Sequence, residues 1–295
     1  LEQLLRDADF VVATVLLNSI GFGIIMPVMP QLVMEVTGED LAHAALYGGW
    51  LMFGYAVMQF CFAPVLGNLS DRFGRRRVLL VSLVAFSLDY FVMGWAPTLA
   101  WLFAGRLIAG IAASTNSTAN AYIADISPAH ERPQNFGLLG AAFGVGFIIG
   151  PVIGGLLGEY GSRAPFFAAA FLGVLNLGFA SVALPESLPR EQRRRFELAR
   201  ANPFGAVAQL VKVPVVLALV VAVFLYNLAH FVMPAIWSYY TMERFAWSPR
   251  DVGYSLGFVG VLMVLVQGFL TRVVIPRAGP SNGAYIGFLQ NFSTG

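Results

Sequence analysis

The stretch GNLSDRFGRRR, residues 67–77, lies between two long apolar runs and carries four arginines. Its two glycines suit a connection between helices, because Gly67 admits a close neighbour and Gly74 permits a tight turn. Asp71 is near enough in sequence to pair with an arginine of this stretch, and the candidates are Arg72, Arg75 and Arg76. Arginines that follow a membrane helix are typical of the cytoplasmic side. The stretch therefore predicts a cytoplasmic turn between two membrane helices.

The composition places the whole chain in a membrane. Of its 295 residues, 58% are hydrophobic and 12% are charged, and the mean hydropathy is +0.72. A soluble domain has about 25% charged residues, so a soluble fold of this length could not hide so much apolar surface. We therefore expect the lipid bilayer as the surrounding medium and no nucleic acid as a partner.

Cysteine and histidine usage argues against metal and redox chemistry. Cys61 is the single cysteine, so no disulfide can form within the chain, and the three histidines are scattered. The sequence also has no group of residues with the spacing of a nucleophile and its base. We expect no cofactor, no metal and no enzymatic activity.

Apolar runs of about 20 residues are long enough to cross the hydrocarbon core as helices. Eight such runs occur, at 10–34, 46–66, 78–96, 99–122, 135–158, 164–184, 214–240 and 252–275. The first run follows LEQLLRDADF and has no small-residue cleavage pattern after it, so we interpret it as a retained helix and not as a signal peptide. The predicted fold class is an all-α membrane protein.

The basic residues predict the orientation of these helices. Fourteen of the 18 lysines and arginines fall on one set of alternating loops. The opposite loops hold three, Arg163, Arg244 and Arg250, and Arg106 lies inside a helix. Because positive charge stays in the cytoplasm, the N-terminus is predicted to be cytoplasmic.

The polar segment 185–212 divides the chain into two predicted bundles. Residues 1–184 would form a six-helix bundle, and residues 213–295 an incomplete second bundle of two helices and a short remainder. Internal similarity supports this division: MPVMP at 26–30 resembles MPAIW at 233–237, and GWLMFGYAVMQ at 49–59 resembles GFVGVLMVLVQ at 257–267. The two offsets are 207 and 208 residues, although chance similarity stays open. A full second bundle would need about four more helices, so the chain is expected to stop early.

Several motifs resemble those of one transporter family. The pattern G-x-L-x-D-R-x-G-R-R in residues 67–77 resembles the signature loop of the major facilitator superfamily. Motifs of the drug:proton antiporters of that superfamily resemble GFGIIMPVMP in the first run, WLFAGRLIAGI in the fourth and GVGFIIGPVIGG in the fifth. The tetracycline exporters are similar in YAVMQFCFAPVLGNLSDRFGRRRVLLVSL and SLDY. The resemblance weakens after about residue 185 and implies proton-coupled export of a small amphipathic compound across a bacterial inner membrane.

The glycines of the fifth run recur every four residues, at Gly146, Gly150, Gly154 and Gly158. Such a stripe lets a neighbouring helix approach closely, and Pro151 permits a bend. The spacing alone fits static packing equally well. The family resemblance implies a moving seam, and it implies gating roles for Gly67, Asp71, Arg72, Gly74, Arg75, Arg76, Gly146, Gly150, Pro151, Gly154 and Gly155.

Two charged residues lie inside predicted membrane helices. Asp89 is 11 residues into the run 78–96, about 16 Å from its cytoplasmic end. Arg106 lies at a similar distance beyond the turn at Pro97, so the two side chains could pair between antiparallel helices. A charge at the membrane centre costs about 2.5–3.5 kcal/mol, and such residues usually serve a function. The sequence leaves open a structural ion pair and a site for proton coupling or substrate contact.

Uncharged polar residues inside the runs are candidates for substrate contact. They are Asn18, Gln59, Asn116, Asn120, Asn227, His230 and Gln267. Each could equally hold helices together, and His230 could titrate near neutral pH. The run STNSTAN, 114–120, is dense enough in polar residues that part of it should meet water.

The chain departs from the tetracycline exporters at two membrane acids. The resemblance aligns acids of the family with Asn18 and Asn291, and an amide can neither carry a proton nor balance a cationic metal–drug complex. Asp89 would then be the one remaining acid, and a substrate other than tetracycline stays open. Two alternatives to drug export are a membrane fragment that does not transport and a proton-coupled metabolite symporter, against which the motif GVGFIIGPVIGG argues by resemblance.

Overall fold

The structure is a computed structural model, and it describes residues 2–113, 115–197, 201–203, 205 and 214–265. These residues form ten α-helices and one short 3-10 helix at Arg190–Gln192. The α-helices are α1 (Glu2–Ile25), α2 (Met29–Thr37), α3 (Leu41–Phe73), α4 (Arg75–Trp95), α5 (Leu99–Ala112), α6 (Thr115–Ile126), α7 (Arg132–Gly158), α8 (Ala164–Ala183), α9 (Pro214–Phe245) and α10 (Pro249–Leu265).

Six of the described helices are long and apolar enough to cross a membrane. The segments are Ala8–Ile25, Leu41–Phe73, Arg75–Trp95, Gln134–Gly158, Ala164–Ala183 and Val216–Phe245. They correspond to six of the eight predicted spans. The last predicted span, 252–275, is described only as far as Leu265, and the fourth is built differently from the prediction.

The first predicted span is not one helix. The backbone turns at residues 26–28, so the run 10–34 is divided between α1 and α2. Pro27 has no N–H to donate to the preceding turn, and the residue before a proline disfavours helical dihedrals. Pro30 is the second residue of α2, in the first turn, where the missing N–H costs nothing. The α2 helix then ends at Gly38, whose φ of 72° is left-handed.

The fourth predicted span, 99–122, is also divided. The α5 helix ends at Ala112, where the N–H of Ala113 donates to Gly110 in a tighter turn. The α6 helix begins at Thr115. Serine, threonine and asparagine compete with helical hydrogen bonds through their own side chains, which accounts for an interruption at the start of the polar run STNSTAN.

The two ends of the helix bundle are held by different ion pairs. At the end that carries the predicted cytoplasmic turn, called here the arginine-rich end, Arg75 Nε lies 3.0 Å from Asp125 Oδ2 and joins α4 to α6. At the far end, Arg163 Nε donates to Glu35 Oε1 over 2.8 Å. A hydrogen bond from Ser162, together with that from Arg163, lowers the pKa of the Glu35 carboxyl.

Two buried apolar clusters form the core, one toward each end. Near the arginine-rich end, side chains of α1, α4 and α6 pack together, among them Val11, Leu83 and Ile123. Toward the far end, side chains of α1, α2, α3, α4, α5, α8 and α9 pack together, among them Leu32 and Met93. The far-end cluster surrounds the part of α4 that contains the buried charge.

The glycine stripe of α7 packs directly against α1. A Cβ placed on Gly146 would lie 2.6 Å from Ser19 Cβ, and one on Gly150 would lie 2.7 Å from Gly23 Cα. Gly154 is closer still to the backbone of Ile24. Real Cβ atoms do not approach backbone atoms this closely, so these positions of α7 accept no side chain without separating the two helices.

Gly150→Ala should therefore destabilise the protein, and Gly144→Ala should not. A methyl group on Gly150 meets α1 backbone, at a cost of about 1–3 kcal/mol. Gly144 lies in the same helix with nothing within 4 Å of its Cβ position, so alanine there should gain about 0.5–1 kcal/mol from helix propensity. Thermal unfolding in detergent measures both, and equal losses would contradict this packing.

Candidate functional site

The predicted pair of membrane charges exists. Arg106 Nη2 donates a short hydrogen bond to Asp89 Oδ2, from α5 to α4. Both side chains are buried, with exposed fractions of 2% for Arg106 and 0% for Asp89. The pairing that their similar distances from Pro97 made possible is present in the structure.

The pair lies in the half of α4 nearer the far end. Asp89 follows Arg75, the first residue of α4, by fourteen residues, which is about 21 Å along a helix. Trp95 ends the helix six residues later, about 9 Å away. The predicted distance of about 16 Å is measured from the start of the apolar run at residue 78, and α4 begins three residues earlier, inside the arginine group.

Small and aromatic residues shape the surroundings of the pair. A Cβ on Gly105 would lie 2.7 Å from Asp89 Oδ1, so only glycine at this position leaves room for the carboxylate. The ring of Tyr55 lies 5.9 Å from Arg106 Cζ, within the range of a cation–π contact. Sequence reasoning missed both residues, because neither glycine nor tyrosine stands out in an apolar helix.

Several polar atoms around the pair are buried without a hydrogen-bond partner among the described residues. They are Asp89 Oδ1, the Tyr90 hydroxyl and Arg106 Nε. An unsatisfied buried polar group costs about 1–3 kcal/mol, and native structures keep few of them outside functional sites. One carboxylate oxygen is thus held by Arg106, and the other has a lone pair free to bind a proton.

A cavity of about 50 Å³ lies beside Arg106, between the first and second halves of the chain. Residues that line it include Phe22, Met26, Met29, Met52, Arg106, Pro234 and Tyr239. This space is called here the central cavity. Flexible methionine side chains can adapt to irregular apolar ligands, and the guanidinium adds one charged donor.

The repeated segments MPVMP and MPAIW meet at this cavity. Met26 and Met29 come from the first segment, and Pro234 comes from the second. The repeat was thus the signal that could have located the cavity from sequence, whereas the prediction relied on polar residues.

Of the predicted substrate-contacting residues whose side chains the structure describes, namely Asn18, Gln59, Asn120 and Asn227, none lines the central cavity. Asn18 and Gln59 are half-buried elsewhere, and exposed Asn227 donates to the backbone oxygen of Val223 in its own helix. Asn120 lines a different cavity. The side chains of Asn116 and His230 and the whole of Gln267 lie outside the described residues, as does Asn291. The substrate contacts predicted at the seven positions stay predictions.

A second contact between the two halves runs along α7 and α10. Gly155 and Gly253 face each other, since a Cβ on either would lie 3.2 Å from the Cα of the other. A Cβ on Gly257 would lie 2.6 Å from Val152 Cγ2. The α7 helix thus uses one face for α1 and another for α10, and Pro151 contributes its backbone oxygen to the second face.

Polar contacts at the far end reinforce this seam. Arg250 Nη1 lies 3.1 Å from Glu159 Oε1, which joins the start of α10 to the end of α7. The Ser238 hydroxyl donates to the backbone oxygen of Met26 over 3.1 Å. Both contacts bridge the two halves of the chain, so the halves are closed against each other at this end.

The turn of the arginine-rich end is organised around Arg75. Its Nη1 lies 2.5 Å from Asp71 Oδ1, while its backbone N–H donates to Glu186 Oε1 over 2.8 Å. Gly74 has a φ of 102°, and a Cβ there would lie 2.5 Å from Glu186 Cδ. Glycine is therefore required at position 74 for two reasons. The turn needs a positive φ, as predicted, and the carboxylate of Glu186, which follows α8, leaves no room for a side chain.

The other residues of the predicted gate in this turn form no described hydrogen bond or ion pair with Arg75 or Glu186. Arg72 lies with Cζ 5.0 Å from the centre of the Phe73 ring, and Arg76 Nη2 donates to the Ser181 oxygen over 2.5 Å. Gly67 has nothing within 4 Å of a Cβ position, so the close helix approach predicted there is wrong. The motif alone could not reveal this, because the distance between neighbouring helices is set by tertiary packing.

These features can be compared with known proteins. The sequence model of the Major Facilitator Superfamily matches residues 11–291. The chain belongs to this superfamily. Members are membrane transporters, so the chain is a transporter and not an enzyme. Among the residues that the structure describes, no group of three metal-ligating side chains comes together.

Its relatives include drug-resistance proteins. The class C tetracycline resistance protein of Escherichia coli is 42% identical over 277 residues, covering 94% of this chain and 69% of that protein. The quinolone resistance protein NorA of Staphylococcus aureus is 29% identical over 252 residues, covering 84% of this chain and 62% of that protein. The chain thus spans about two thirds of each relative.

Solved structures of the superfamily share the fold. The crystal structure of the human organic anion transporter MFSD10 matches with a TM-score of 0.70 and 25% sequence identity. The match covers 94% of this chain and 74% of the MFSD10 chain. The xylose transporter XylE of E. coli, in a partially occluded inward-open conformation, has a TM-score of 0.68 at 18% identity, with 94% and 74% coverage.

Gly74→Ala should destabilise this transporter more than Gly161→Ala. Both glycines have positive φ, 102° and 123°, but only Gly74 faces a neighbour, since nothing lies within 4 Å of Gly161. The shared backbone strain costs about 1–2 kcal/mol, and the clash with Glu186 adds to it at Gly74. Thermal unfolding measures the difference.

Glu186→Ala in the Gly74→Ala background should recover part of the extra loss, because it removes the clashing carboxylate. The double-mutant cycle isolates that contact. Equal losses for the two glycine variants, or no recovery, would show that Glu186 does not hold the turn.

Proposed function

We propose that this transporter exports a small amphipathic compound in exchange for protons. Its relatives include tetracycline and quinolone resistance proteins, which supports drug efflux as the class of activity. The observation that carries the proposal is the buried Asp89–Arg106 pair beside a cavity between the two halves of the chain.

The pair offers a way to couple protons to substrate. Arg106 holds Asp89 Oδ2, while Oδ1 has no partner among the described residues. A proton on Oδ1 makes the carboxyl neutral and weakens its hold on the guanidinium, because the charge attraction is lost. In this state Oδ1 no longer accepts a hydrogen bond from the substrate. Once the proton leaves, the carboxylate pairs again with Arg106 and offers Oδ1 as an acceptor, so that proton and substrate compete for Asp89 and are exchanged.

The contacts between the halves support alternating access. We infer that the arginine-rich end is cytoplasmic, since fourteen of the 18 basic residues lie on that side in the predicted topology. The Arg250–Glu159 and Ser238–Met26 contacts then close the outer end. Export requires the halves to rock apart along the α7–α10 seam, where Gly155 and Gly253 allow backbone to slide on backbone.

The arginine-rich turn is assigned to the opposite gate. The carboxylates of Asp71 and Asp125 both contact Arg75. The backbone N–H of Arg194 donates to the backbone oxygen of Asp71 over 3.1 Å. The segment after α8 is thereby tied to the turn between α3 and α4. Movement of the second half would pull on this turn through the linker, which is the physical basis for a gating role of Asp71 and Arg75.

The division into a bundle at 1–184, a linker at 185–212 and a second bundle at 213–295 stays part of this proposal, as does the cytoplasmic N-terminus. The helix caps support the internal repeat behind it. Asp40 caps α3 by accepting from the His43 N–H, and Ser248 and Asp251 cap α10 reciprocally. Asp40 and Ser248 stand 208 residues apart, the same offset as the second repeated segment.

Asp89→Asn should uncouple transport from protons. Inverted membrane vesicles that contain the protein and have an acid interior should accumulate tetracycline or a quinolone, each used as a probe. The asparagine cannot bind or release the proton, so accumulation should fall at least about 100-fold, the scale of losing a positioned proton-transfer group. Glu243→Gln, an exposed acid in α9, is the matched control and should transport normally.

Retained pH-driven accumulation in Asp89→Asn would overturn the role of Asp89. Accumulation that ignores the pH gradient in the unaltered protein would overturn proton coupling as such. An Asp89→Asn protein that still binds the probes but does not accumulate them would separate coupling from binding, as the proposal requires.

A further inference from the structure

A second cavity, of about 320 Å³, lies between α1, α6 and α7 and is not part of the site described above. Its lining includes Val15, Asn120, Phe136, Gly140 and Phe143. Phe136 and Phe143 follow the first residue of α7 by four and eleven residues, which puts them about 6 and 17 Å above the arginine-rich end. The cavity, called here the α7 cavity, therefore lies in the opposite half of the bundle from Arg106.

The lining has the chemistry of a site for a flat, uncharged molecule. Phe136 and Phe143 are seven residues apart on one face of α7 and are both partly exposed, by 37% and 43%. Phe143 stacks on Phe147 with ring planes 21° apart. Asn120 supplies the one polar side chain among the described lining residues. Ligand pockets typically combine about 300–1,000 Å³ of mostly apolar space with a few polar groups, and this cavity meets that description.

The glycines of α7 divide into two groups, which separates this cavity from the helix seams. The glycines in the half of α7 nearer the far end, such as Gly150, touch another helix. Gly140 has nothing within 4 Å of a Cβ position. A glycine in a helix interior costs about 0.5–1 kcal/mol relative to alanine, and at Gly140 no helix packing accounts for it. Its missing side chain instead leaves the space between Phe136 and Phe143 open.

Charge narrows the class of ligand. The lining contains no acid and no base among the residues that the structure describes, and burying an unpaired charge in apolar surroundings is strongly unfavourable. A molecule with a net charge finds no counter-charge here. A neutral aromatic compound, or a zwitterionic one whose two charges offset each other, can stack on the rings and reach Asn120 with a polar edge. The central cavity differs, because Arg106 supplies a cation there.

We propose that the α7 cavity is an uptake site, where a planar, neutral or zwitterionic aromatic compound binds before it moves to the Asp89–Arg106 pair. The proposal rests on the proposed export function, which makes the arginine-rich end the side from which substrate arrives. The compound stacks on Phe143 and Phe136, and the Asn120 amide donates to or accepts from its polar edge. Two cavities at different depths then give the substrate consecutive positions along one path.

Cysteine protection tests occupancy directly. Cys61 is the single cysteine, so Cys61→Ser gives a silent background. Gly140→Cys places a thiol in the α7 cavity, and Gly137→Cys is the matched control in the same helix; both have open space for the side chain. With tetracycline as the probe, maleimide labelling of Gly140→Cys should slow at least about fivefold, the effect of a mostly occupied site, while Gly137→Cys should be unaffected.

Unchanged labelling of Gly140→Cys at probe concentrations that saturate transport would overturn the uptake site. Equal slowing of both thiols would also overturn it, since that result indicates a general change in access or a membrane effect. Slowing of Gly140→Cys by an added aliphatic lipid, but not by tetracycline, would identify the occupant as an acyl chain and likewise contradict the proposal.

Transport kinetics separate this inference from the export mechanism. Phe143→Leu keeps the position apolar but removes the ring, so the KM for the probe should rise about tenfold with the pH dependence unchanged. Protection of Gly140→Cys without pH-driven transport would sink proton coupling and leave the uptake site standing. Transport coupled to pH with no protection and no change of KM in Phe143→Leu would sink the uptake site alone.

Discussion

A carboxylate and a guanidinium held together away from water are the constraint on which this structure depends. Removing one partner of a buried ion pair typically costs about 3–5 kcal/mol, yet replacing both by apolar groups is often neutral or stabilising. Stability alone therefore does not explain why α4 and α5 are joined by the ion pair of Asp89 and Arg106. Its neighbours carry the same implication, because Gly105 leaves room for the carboxylate and the Tyr90 hydroxyl is buried without a partner among the described residues.

In the proposed export mechanism, close backbone packing lets the helices around this pair move as units. The α7 helix presents glycines to α1 on one face and to α10 on another. Side chains that interdigitate resist sliding, whereas smooth glycine surfaces allow it, because few atoms must repack as the helices shift. Protonation of Asp89 can change how the two halves of the chain are positioned only if a helix interface that permits sliding lies nearby. The Arg250–Glu159 contact at the far end is exposed enough to break at small cost.

Sequence reasoning reached the pair and the fold, and failed where distant segments meet. The pairing of Asp89 with Arg106 followed from helix rise and one turn, which are local quantities. Glu186 lies 111 residues from Arg75, and no local rule connects them. The central cavity was missed because its lining is mostly apolar and comes from several helices, while the predicted contacts were mostly amides. A polar side chain in a helix is not by itself a sign of a cavity, since one such as Asn227 can form its hydrogen bond with its own backbone.

The central claim is that substrate and proton compete through Asp89. The most direct test is to measure protons released into weakly buffered solution when tetracycline, or a quinolone as a second probe, binds to the purified protein in detergent. The account predicts release of about one proton per bound molecule near the pH at which transport is driven, and none from Asp89→Asn although that variant still binds. Equal proton release from both proteins would contradict it.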